Sequence, residues 1–288
     1  MIYLILAVMC SVVVSVILKY SRITGGDIRQ SILINYVIAT LLSWFLLKPE
    51  RLLQSETLTQ LPWWLYILLG LLLPSVFIVM SKAVSCVGIA RSDVAQRLSL
   101  FLTLIASFWI FNEAVSTLKI ISVMVGLSAL LCLLYKGSEK EIASKSRFFD
   151  SQAYYLFLVW IGYATIDILL KESSKLGGDL LSGLFISFVL GGIVLWGYLL
   201  MQKVRWDIKS LALGLVLGLF NFFNILFYIY AHQAYKNNPT IVFTIMNIGV
   251  IAVGSLVGMY GFKETLNRIN LLGIALSILA VVMLFQFA

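Results

Sequence analysis

The chain has 288 residues, of which 61% are hydrophobic and only 12% are charged. Soluble proteins carry about 25% charged residues, so this composition excludes an ordinary soluble domain and indicates an all-α integral membrane protein. The net charge of +8 is expected to lie mostly in loops on one side of the membrane. Nucleic-acid binding is not indicated, because the sequence has no cluster of basic residues with interleaved aromatic residues.

Ten apolar runs follow one another, each close to the roughly 20 residues that cross about 30 Å of hydrocarbon as a helix. They are residues 2–19, 29–47, 63–83, 94–112, 117–135, 153–171, 180–201, 210–231, 240–260 and 269–287. The first run has no basic segment before it, so we expect a retained helix. The three cysteines have no CxxC spacing, and the sequence contains no metal, cofactor or catalytic signature. We therefore expect neither a cofactor nor an enzyme.

The two halves of the chain resemble each other. Residues 3–27 align without a gap on residues 155–179, and nine of these 25 positions are identical. A shared Lys-x-Ser pattern is followed by Gly-Gly-Asp, which ends at Asp27 in the first copy and Asp179 in the second. This motif predicts a helix that stops at the glycines and a second helix that the aspartate caps.

The correspondence continues into the third run of each half, where Gly70 aligns with Gly218 at a shift of 148 residues. With five helices per half, the second copy enters from the opposite side, which gives an inverted repeat. The predicted fold is ten transmembrane helices as two inverted five-helix repeats. The repeats cover residues 1–136 and 153–288, and residues 137–152 form a polar connector.

Lysine and arginine are distributed unequally between the two sides of this arrangement. Loops after odd-numbered runs, together with the run ends beside them, carry 15 of the 21 basic residues, and the other side carries the remaining 6. Without Lys82, Arg97 and Lys171, which fall inside runs, the counts are 13 and 5. The positive-inside rule therefore predicts that both termini lie outside the cytoplasm. The expected location is the cell membrane, the inner membrane of a bacterium.

A glutamate ends the fourth run of each half, in Phe-Asn-Glu113 and Phe-Lys-Glu264, and the next runs contain Gly126 and Gly273. With these residues and the duplicated unit, the chain resembles the drug/metabolite transporter superfamily in its ten-helix, EamA-like form. The resemblance implies a secondary transporter that works by alternating access, typically for export. We expect both glutamates to accept hydrogen bonds from the start of the next helix, where negative charge is favoured.

The first run also resembles the four-helix small multidrug-resistance branch, in which a membrane-embedded glutamate carries proton coupling. Ser11 and its repeat mate Tyr163 occupy that position here. The sequence therefore departs from that branch at the residue that binds the proton.

Polar residues inside apolar runs are costly and are candidates for function. Asn221, Asn224, Tyr228 and His232 share one face of the eighth run, since their offsets are 3, 7 and 11. This face predicts either the wall of a water-filled cavity or hydrogen bonds to a partner helix.

The sixth run contains Asp167, with Tyr163 one turn before it and Lys171 one turn after it. Asp167 and Lys171 are spaced for an ion pair on one helix. The alternative is that Asp167 contacts a substrate amine or carries a proton or cation.

The fourth run opens with Asp93, Gln96 and Arg97. Asp93 and Arg97 are also spaced to pair, and the alternative is that the guanidinium binds a carboxylate or phosphate. Asn247 lies at roughly the repeat-related place. Lys82 adds positive charge, or reaches the membrane surface as long basic side chains do.

The candidate substrate-binding residues are Lys82, Gln96, Arg97, Tyr163, Asp167, Asn221, Asn224, Tyr228, His232 and Asn247. The predicted function is transport of a small polar metabolite, an amino acid or related compound, by alternating access. Uptake of a sugar, a non-transporting accessory subunit and an intramembrane lipid-linked transferase are the alternatives. The expected partners are the small-molecule substrate and membrane lipid; a coupling ion (proton or sodium) and a homodimer are left open.

Overall fold

The structure, a computed structural model, describes residues 1–47, 62–110, 117–134, 147–175, 180–235 and 239–287. These residues form ten α-helices and no β-strand. The helices are α1 (Ile2–Ile23), α2 (Ile28–Leu42), α3 (Trp63–Val87), α4 (Ile89–Ile110), α5 (Thr117–Leu134), α6 (Arg147–Lys175), α7 (Leu180–Met201), α8 (Ile208–Ala234), α9 (Pro239–Leu256) and α10 (Arg268–Phe287). Each predicted apolar run coincides with one helix. Short π-helical turns extend α2 over Ser43–Leu47 and α9 over Val257–Gly261.

Six helices among the described residues, α1, α2, α3, α6, α7 and α8, are long and apolar enough to cross a membrane. Three further apolar stretches are shorter: Ile120–Cys132, Ile245–Gly261 and Arg268–Met283. The chain is therefore an all-helical protein with membrane-spanning helices, which confirms the predicted class. That all ten helices cross the membrane stays a prediction.

Two helices begin earlier than their apolar runs. α4 starts at Ile89 and not at residue 94, and α6 starts at Arg147, inside the predicted connector 137–152. Polar residues occupy both first turns, so hydropathy alone misses them. Residues 137–146 of the connector lie outside the described part of the chain.

The Gly-Gly-Asp motif forms the predicted joint between α1 and α2. Gly25 has φ +70°, a left-handed conformation that favours glycine, and the N–H of Gly26 donates to the carbonyl of Ser21 at 3.1 Å. Asp27 then caps α2, because its Oδ1 accepts from the backbone N–H of Arg29 at 3.0 Å. The motif prediction is confirmed for this copy; the copy that ends at Asp179 lies outside the described residues.

The chain divides into two compact units. The first unit comprises Met1–Lys19, Val79–Ala164 and Asn224–Ala288. The second unit comprises Tyr20–Ile78 and Thr165–Phe223. Each unit therefore combines segments from both halves of the sequence.

In the first unit, α9 packs against α4 and α10, and α5 packs against α4 and α10. An apolar cluster also joins α1 to α9, formed by Ala7, Val8 and Val12 with Met246 and Val250. Because α9 also packs against α4, the cluster connects α1 to the pair α4 and α9.

In the second unit, α2 packs against α7, and glycines bring α3 and α8 close to this pair. A Cβ on Gly70 of α3 would lie 2.6 Å from Cβ of Leu190 on α7, and a Cβ on Gly218 of α8 would lie 2.7 Å from Cβ of Ile38 on α2. Larger residues at these two glycines would force the helices apart.

The α1–α2 joint yields a pH-dependent prediction. Burial tends to raise the pKa of Asp27, but the hydrogen bonds and charge of Arg29 hold the pKa below its usual value. Asp27 therefore stabilises the fold above the unfolded-state pKa of about 4, and this contribution is lost as the pH falls through the folded-state pKa. The Asp27→Asn variant, which keeps a capping side chain, should lose up to about 1 kcal/mol near neutral pH.

Melting curves of the purified protein at pH 7 and at about pH 3 measure this loss. The difference between wild type and Asp27→Asn should shrink at the acidic pH, whereas Asp27→Ala should remain destabilised because the cap itself is gone. An Asn variant that is equally destabilised at both pH values would contradict the account.

Candidate functional site

A polar stripe runs along α1 within the first unit. Ser11, Ser15 and Lys19 are spaced by four residues and so share one face of the helix. Each makes a contact with a residue that is distant in sequence, and two of these contacts reach α4. We call the three contacts the α1–α4 ladder.

The central contact of the ladder joins Ser15 to Asp93. The Ser15 hydroxyl donates to Oδ1 of Asp93 at 2.6 Å, and Asp93 is only 2% exposed. Its other oxygen, Oδ2, is buried and has no hydrogen-bond partner among the described residues. A Cβ on Gly254 of α9 would lie 2.6 Å from Oδ2, so the missing side chain at Gly254 makes room for the carboxylate.

The second contact joins Arg97 to Ser11. Nη2 of Arg97 donates to the Ser11 hydroxyl at 3.0 Å, and the side chain is half-buried. Asp93 and Arg97 thus each bond to α1, one turn apart on the same face of α4. Asp93 and Arg97 also lie within electrostatic range of each other, so the interaction expected within α4 accompanies the bonds to α1.

The third contact joins Lys19 to Glu264. Nζ of Lys19 lies 3.3 Å from Oε1 of Glu264 and also donates to the carbonyl of Val84 at 3.3 Å. The same glutamate accepts from the backbone N–H groups of Ile89, at 2.6 Å, and Ala90, at 3.3 Å. A single carboxylate therefore ties α1 to the first turn of α4.

This geometry corrects the expectation for Glu264. The residue does accept hydrogen bonds from a helix start, but the helix is α4 and not the next helix, α10. Asn267 serves α10 instead, since its Oδ1 accepts from the N–H of Asn270 at 2.7 Å. Glu113, for which the same role was predicted, lies outside the described residues.

The turn at Gly88 makes this capping sterically feasible. Gly88 has φ +101°, and a Cβ there would lie 2.5 Å from the carboxyl carbon of Glu264. Glycine is required twice over at this position, for its backbone conformation and for space. The N–H of Glu264 donates to the carbonyl of Gly258 at 3.0 Å, which fixes the carboxylate to the end of α9.

Two other candidates on α3 and α4 lie in the first unit. Lys82 is exposed, with Nζ 6.0 Å from the centre of the Tyr155 ring, at the outer limit of a cation–π contact. Gln96 is half-buried, and its backbone carbonyl accepts from the Ser99 hydroxyl at 2.6 Å. The surface position of Lys82 favours the interpretation that it reaches toward the membrane surface.

The polar residues of α8 are divided between the two units, since the boundary falls between Phe223 and Asn224. Asn221, in the second unit, donates from Nδ2 to Oδ1 of Asn35 on α2 at 3.0 Å, which supports the interhelical alternative at this residue. Asn224, in the first unit, has a buried Oδ1 without a hydrogen-bond partner among the described residues. Tyr228 packs on the apolar clusters of the first unit. The side chain of His232 lies outside the described part.

The remaining candidates are half-buried and fall in different units. Tyr163 and Asn247 belong to the first unit, and Asp167 belongs to the second. The side chain of Lys171 is outside the described part of the chain, so the pairing of Asp167 with Lys171 stays a prediction. Of the ten candidates, Arg97 is the one that the structure places in the α1–α4 ladder.

Several residues of these networks were absent from the candidate set. Asn35 was missed although it is an amide inside an apolar run, because Asn221 was chosen as part of a face of four polar residues and Asn35 has no such face. Lys19 and Glu264 each have a repeat mate of the same type, Lys171 and Glu113. Because both the lysine and the glutamate recur at equivalent positions of the two halves, the sequence could have indicated that they contact each other.

The contact between Lys19 and Glu264 predicts coupled effects on stability. Glu264→Ala should destabilise the protein by about 2 kcal/mol or more, because it leaves a partly buried lysine and two backbone N–H groups without an acceptor. Lys19→Met should cost less. The double variant should lose less than the sum of both, by about 0.5–3 kcal/mol. Melting curves of the four proteins of this cycle provide the measurement, and additive losses would show that the two residues are energetically independent.

Comparison with known proteins identifies a relative that is similar over nearly the whole chain. No family model matches the chain. An uncharacterized protein of Haemophilus influenzae is 47% identical over 290 residues, which cover 98% of this chain and 97% of that protein. Similarity at this level over nearly the full length of both proteins indicates common descent of the whole chain. The chain belongs to the family of this Haemophilus influenzae protein.

Proposed function

We propose that this protein is a secondary transporter that moves a small polar metabolite across the membrane by alternating access. It would be a ten-helix member of the drug/metabolite transporter superfamily, as the resemblance to EamA-like proteins implies. The observation that carries the proposal is the α1–α4 ladder. Buried polar and charged groups are expensive within membrane helices, and they commonly mark the path of a substrate or ion.

The charges around the ladder favour a substrate with an anionic group. Lys19, Arg91 and Arg97 supply three positive charges, whereas Asp93 and Glu264 supply two negative charges. Arg91 lies within electrostatic range of Glu264. The positive charges favour a carboxylate or phosphate as one group of the substrate, and the planar guanidinium of Arg97 suits either group.

Asp93 adds a second recognition element. It lies one helical turn from Arg97, which places the two side chains roughly 5–6 Å apart at Cβ. Its Oδ2, which has no hydrogen-bond donor among the described residues, would accept from an ammonium group. A compound with a carboxylate and an amine would therefore find a partner for each charge, so we propose an amino acid or a close relative. Asp93 replaces Asp167 as the amine partner in this proposal.

Contacts in the second unit support an inverted repeat. The shift of 152 residues that aligns the first helices also places Ile38 on Leu190, and the shift of 148 places Gly70 on Gly218. Gly70 packs on Leu190 and Gly218 packs on Ile38. The two contacts are thus exchanged copies of each other, as a twofold relation between the halves requires.

A second pair of contacts follows the same rule. Gly183 packs on the ring of Tyr66, and Gly214 packs on the backbone of Ser31. The shift of 152 places Ser31 on Gly183, and the shift of 148 places Tyr66 on Gly214. Inverted repeats of this kind place the substrate site near the middle of the membrane, where alternating access exposes it to each side in turn.

A thermal-shift experiment tests the proposed substrate class. Purified protein is titrated with amino acids and, for each hit, with the matching amine and the matching carboxylic acid. An amino acid should raise the melting temperature with dose, since a ligand that binds the folded state stabilises it by mass action. The compounds that lack one charge should bind more weakly.

Two variants assign the two charges of the ligand. Arg97→Ala should abolish the advantage of the amino acid over the amine, and Asp93→Asn should abolish its advantage over the acid. Lys82→Ala is the matched control, because Lys82 is exposed and outside the ladder. Ligand shifts that persist in both ladder variants would remove the ladder from substrate binding, and the absence of any hit would contradict the amino-acid proposal.

A further inference from the structure

An open apolar groove lies on the second unit, between α2, α7 and the segment before α8. Its volume is about 550 Å³. The walls include Val37 and Leu41 from α2 and Ile193 and Trp196 from α7, and Trp206 closes one end. These five side chains are 42–57% exposed, so the groove opens to the surroundings of the protein.

Gly192 of α7 lines the groove, and a larger side chain at this position would occupy part of its volume. A Cβ on Gly192 would meet only Cβ of Tyr36, at the ordinary van der Waals distance of 3.6 Å. Tyr36 is 4% exposed and lies 6.2 Å from the ring of Phe188, so the floor is packed. The empty volume is thus on the outer side of a well-packed helix pair.

The end of the groove at Trp206 is held in place by Gln30. Its Nε2 donates to the carbonyl of Arg205 at 2.8 Å, and its Oε1 accepts from the N–H of Asp207 at 2.9 Å. These two bonds bracket Trp206 in the sequence. A tryptophan fixed where an apolar helix meets a polar loop is typical of the boundary between hydrocarbon and headgroups.

Positive charge surrounds this end. Lys203, Arg205 and Lys209 are exposed, and the neighbouring acid, Asp207, is engaged with the N–H and hydroxyl of Ser210. Hydrogen bonds from Ser210 keep the pKa of Asp207 below its usual value. The ion pair of Asp27 with Arg29 lies at the same end, because the N–H of Asp27 donates to the Ser210 hydroxyl at 2.8 Å. Among the described residues, cations therefore outnumber anions at this end by four to two, which favours a negatively charged group.

The length of the groove matches one leaflet. It follows α2 from Leu33 to Leu41, and eight residues of helix rise about 12 Å. Half of the roughly 30 Å hydrocarbon core is about 15 Å. An apolar groove that starts at a basic, tryptophan-marked boundary and runs this distance along membrane-spanning helices fits an extended hydrocarbon chain with an anionic head.

We propose that this groove binds an anionic phospholipid, with one acyl chain between α2 and α7 and the headgroup phosphate at Arg205 and Lys209. The site belongs to the second unit and shares no residue with the ladder, so the proposal holds whether or not the protein transports an amino acid. It gives the protein a preference for anionic over zwitterionic lipid at one defined position.

A matched pair of glycine variants tests the acyl-chain site. Gly192→Val places two methyl groups in the groove, whereas Gly197→Val, on the same helix, meets nothing within 4 Å at its Cβ. Both substitutions carry the same helix-propensity change. Delipidated protein is titrated with phosphatidylglycerol and with phosphatidylcholine of identical chains, and bound lipid is counted by native mass spectrometry.

Wild type and Gly197→Val should bind phosphatidylglycerol about tenfold more tightly than phosphatidylcholine. Gly192→Val should lose about tenfold in affinity for phosphatidylglycerol. The Arg205→Ala, Lys209→Ala double variant should retain lipid binding but lose the preference for the anionic headgroup. Inorganic phosphate alone should neither bind measurably nor displace the lipid.

Three results would overturn the proposal. If the two lipids bind equally and Gly192→Val has no effect, the bound molecules are lipids that surround the protein without a specific site. Displacement of phosphatidylglycerol by inorganic phosphate would place the binding energy in a free anion site. A change from dimer to monomer in Gly192→Val, with lipid binding unchanged, would show that a second copy of the chain fills the groove.

Discussion

A polar group buried among apolar helices is costly unless it has a hydrogen-bond or charge partner, and this cost favours the register of α1 against α4 that the structure shows. Ser11 and Ser15 on α1 meet Arg97 and Asp93, which follow α4 in the opposite direction. Lys19, on the same face of α1, meets Glu264, which accepts hydrogen bonds from the start of α4. Sliding either helix by one residue would turn these groups away from one another. In a chain that is 61% hydrophobic, apolar surfaces alone would allow many registers, so the polar contacts select one.

The same contacts explain how a site for a charged solute could exist in so apolar a protein. Asp93 and Arg97 lie within electrostatic range of each other, and each also bonds to a serine hydroxyl of α1. A hydroxyl is a weaker partner than an opposite charge, so the proposed substrate, with complementary charges, would take the place of the two hydroxyls. Glu264, in contrast, has three donors and anchors the helix ends. The ladder thus combines one multiply bonded contact, at Glu264, with two contacts that the proposed substrate would exchange.

The sequence predicted the elements well and their long-range partners poorly. The ten apolar runs matched ten helices because burial in hydrocarbon leaves a strong local signal, and the Gly25–Asp27 joint followed from local capping rules. The contacts of the ladder join residues 78, 86 and 245 positions apart, and no local pattern specifies such pairs. For this reason Glu264 was assigned to the helix that follows it in sequence, and Asn35 was overlooked. The groove beside Gly192 depends on the absence of a side chain, which hydropathy does not register.

Water accessibility of the ladder is the most direct test of its role in transport. Ser11→Cys is introduced into a chain whose native cysteines, Cys10, Cys86 and Cys132, are replaced by alanine. Met9→Cys serves as the control, since Met9 is 49% exposed on another face of α1. If the ladder lines a substrate path, a charged, membrane-impermeant thiol reagent should modify Cys at position 11 and not at position 9, because thiols react as thiolates in water. An unreactive position 11, or equal reactivity at both positions, would contradict the proposed path.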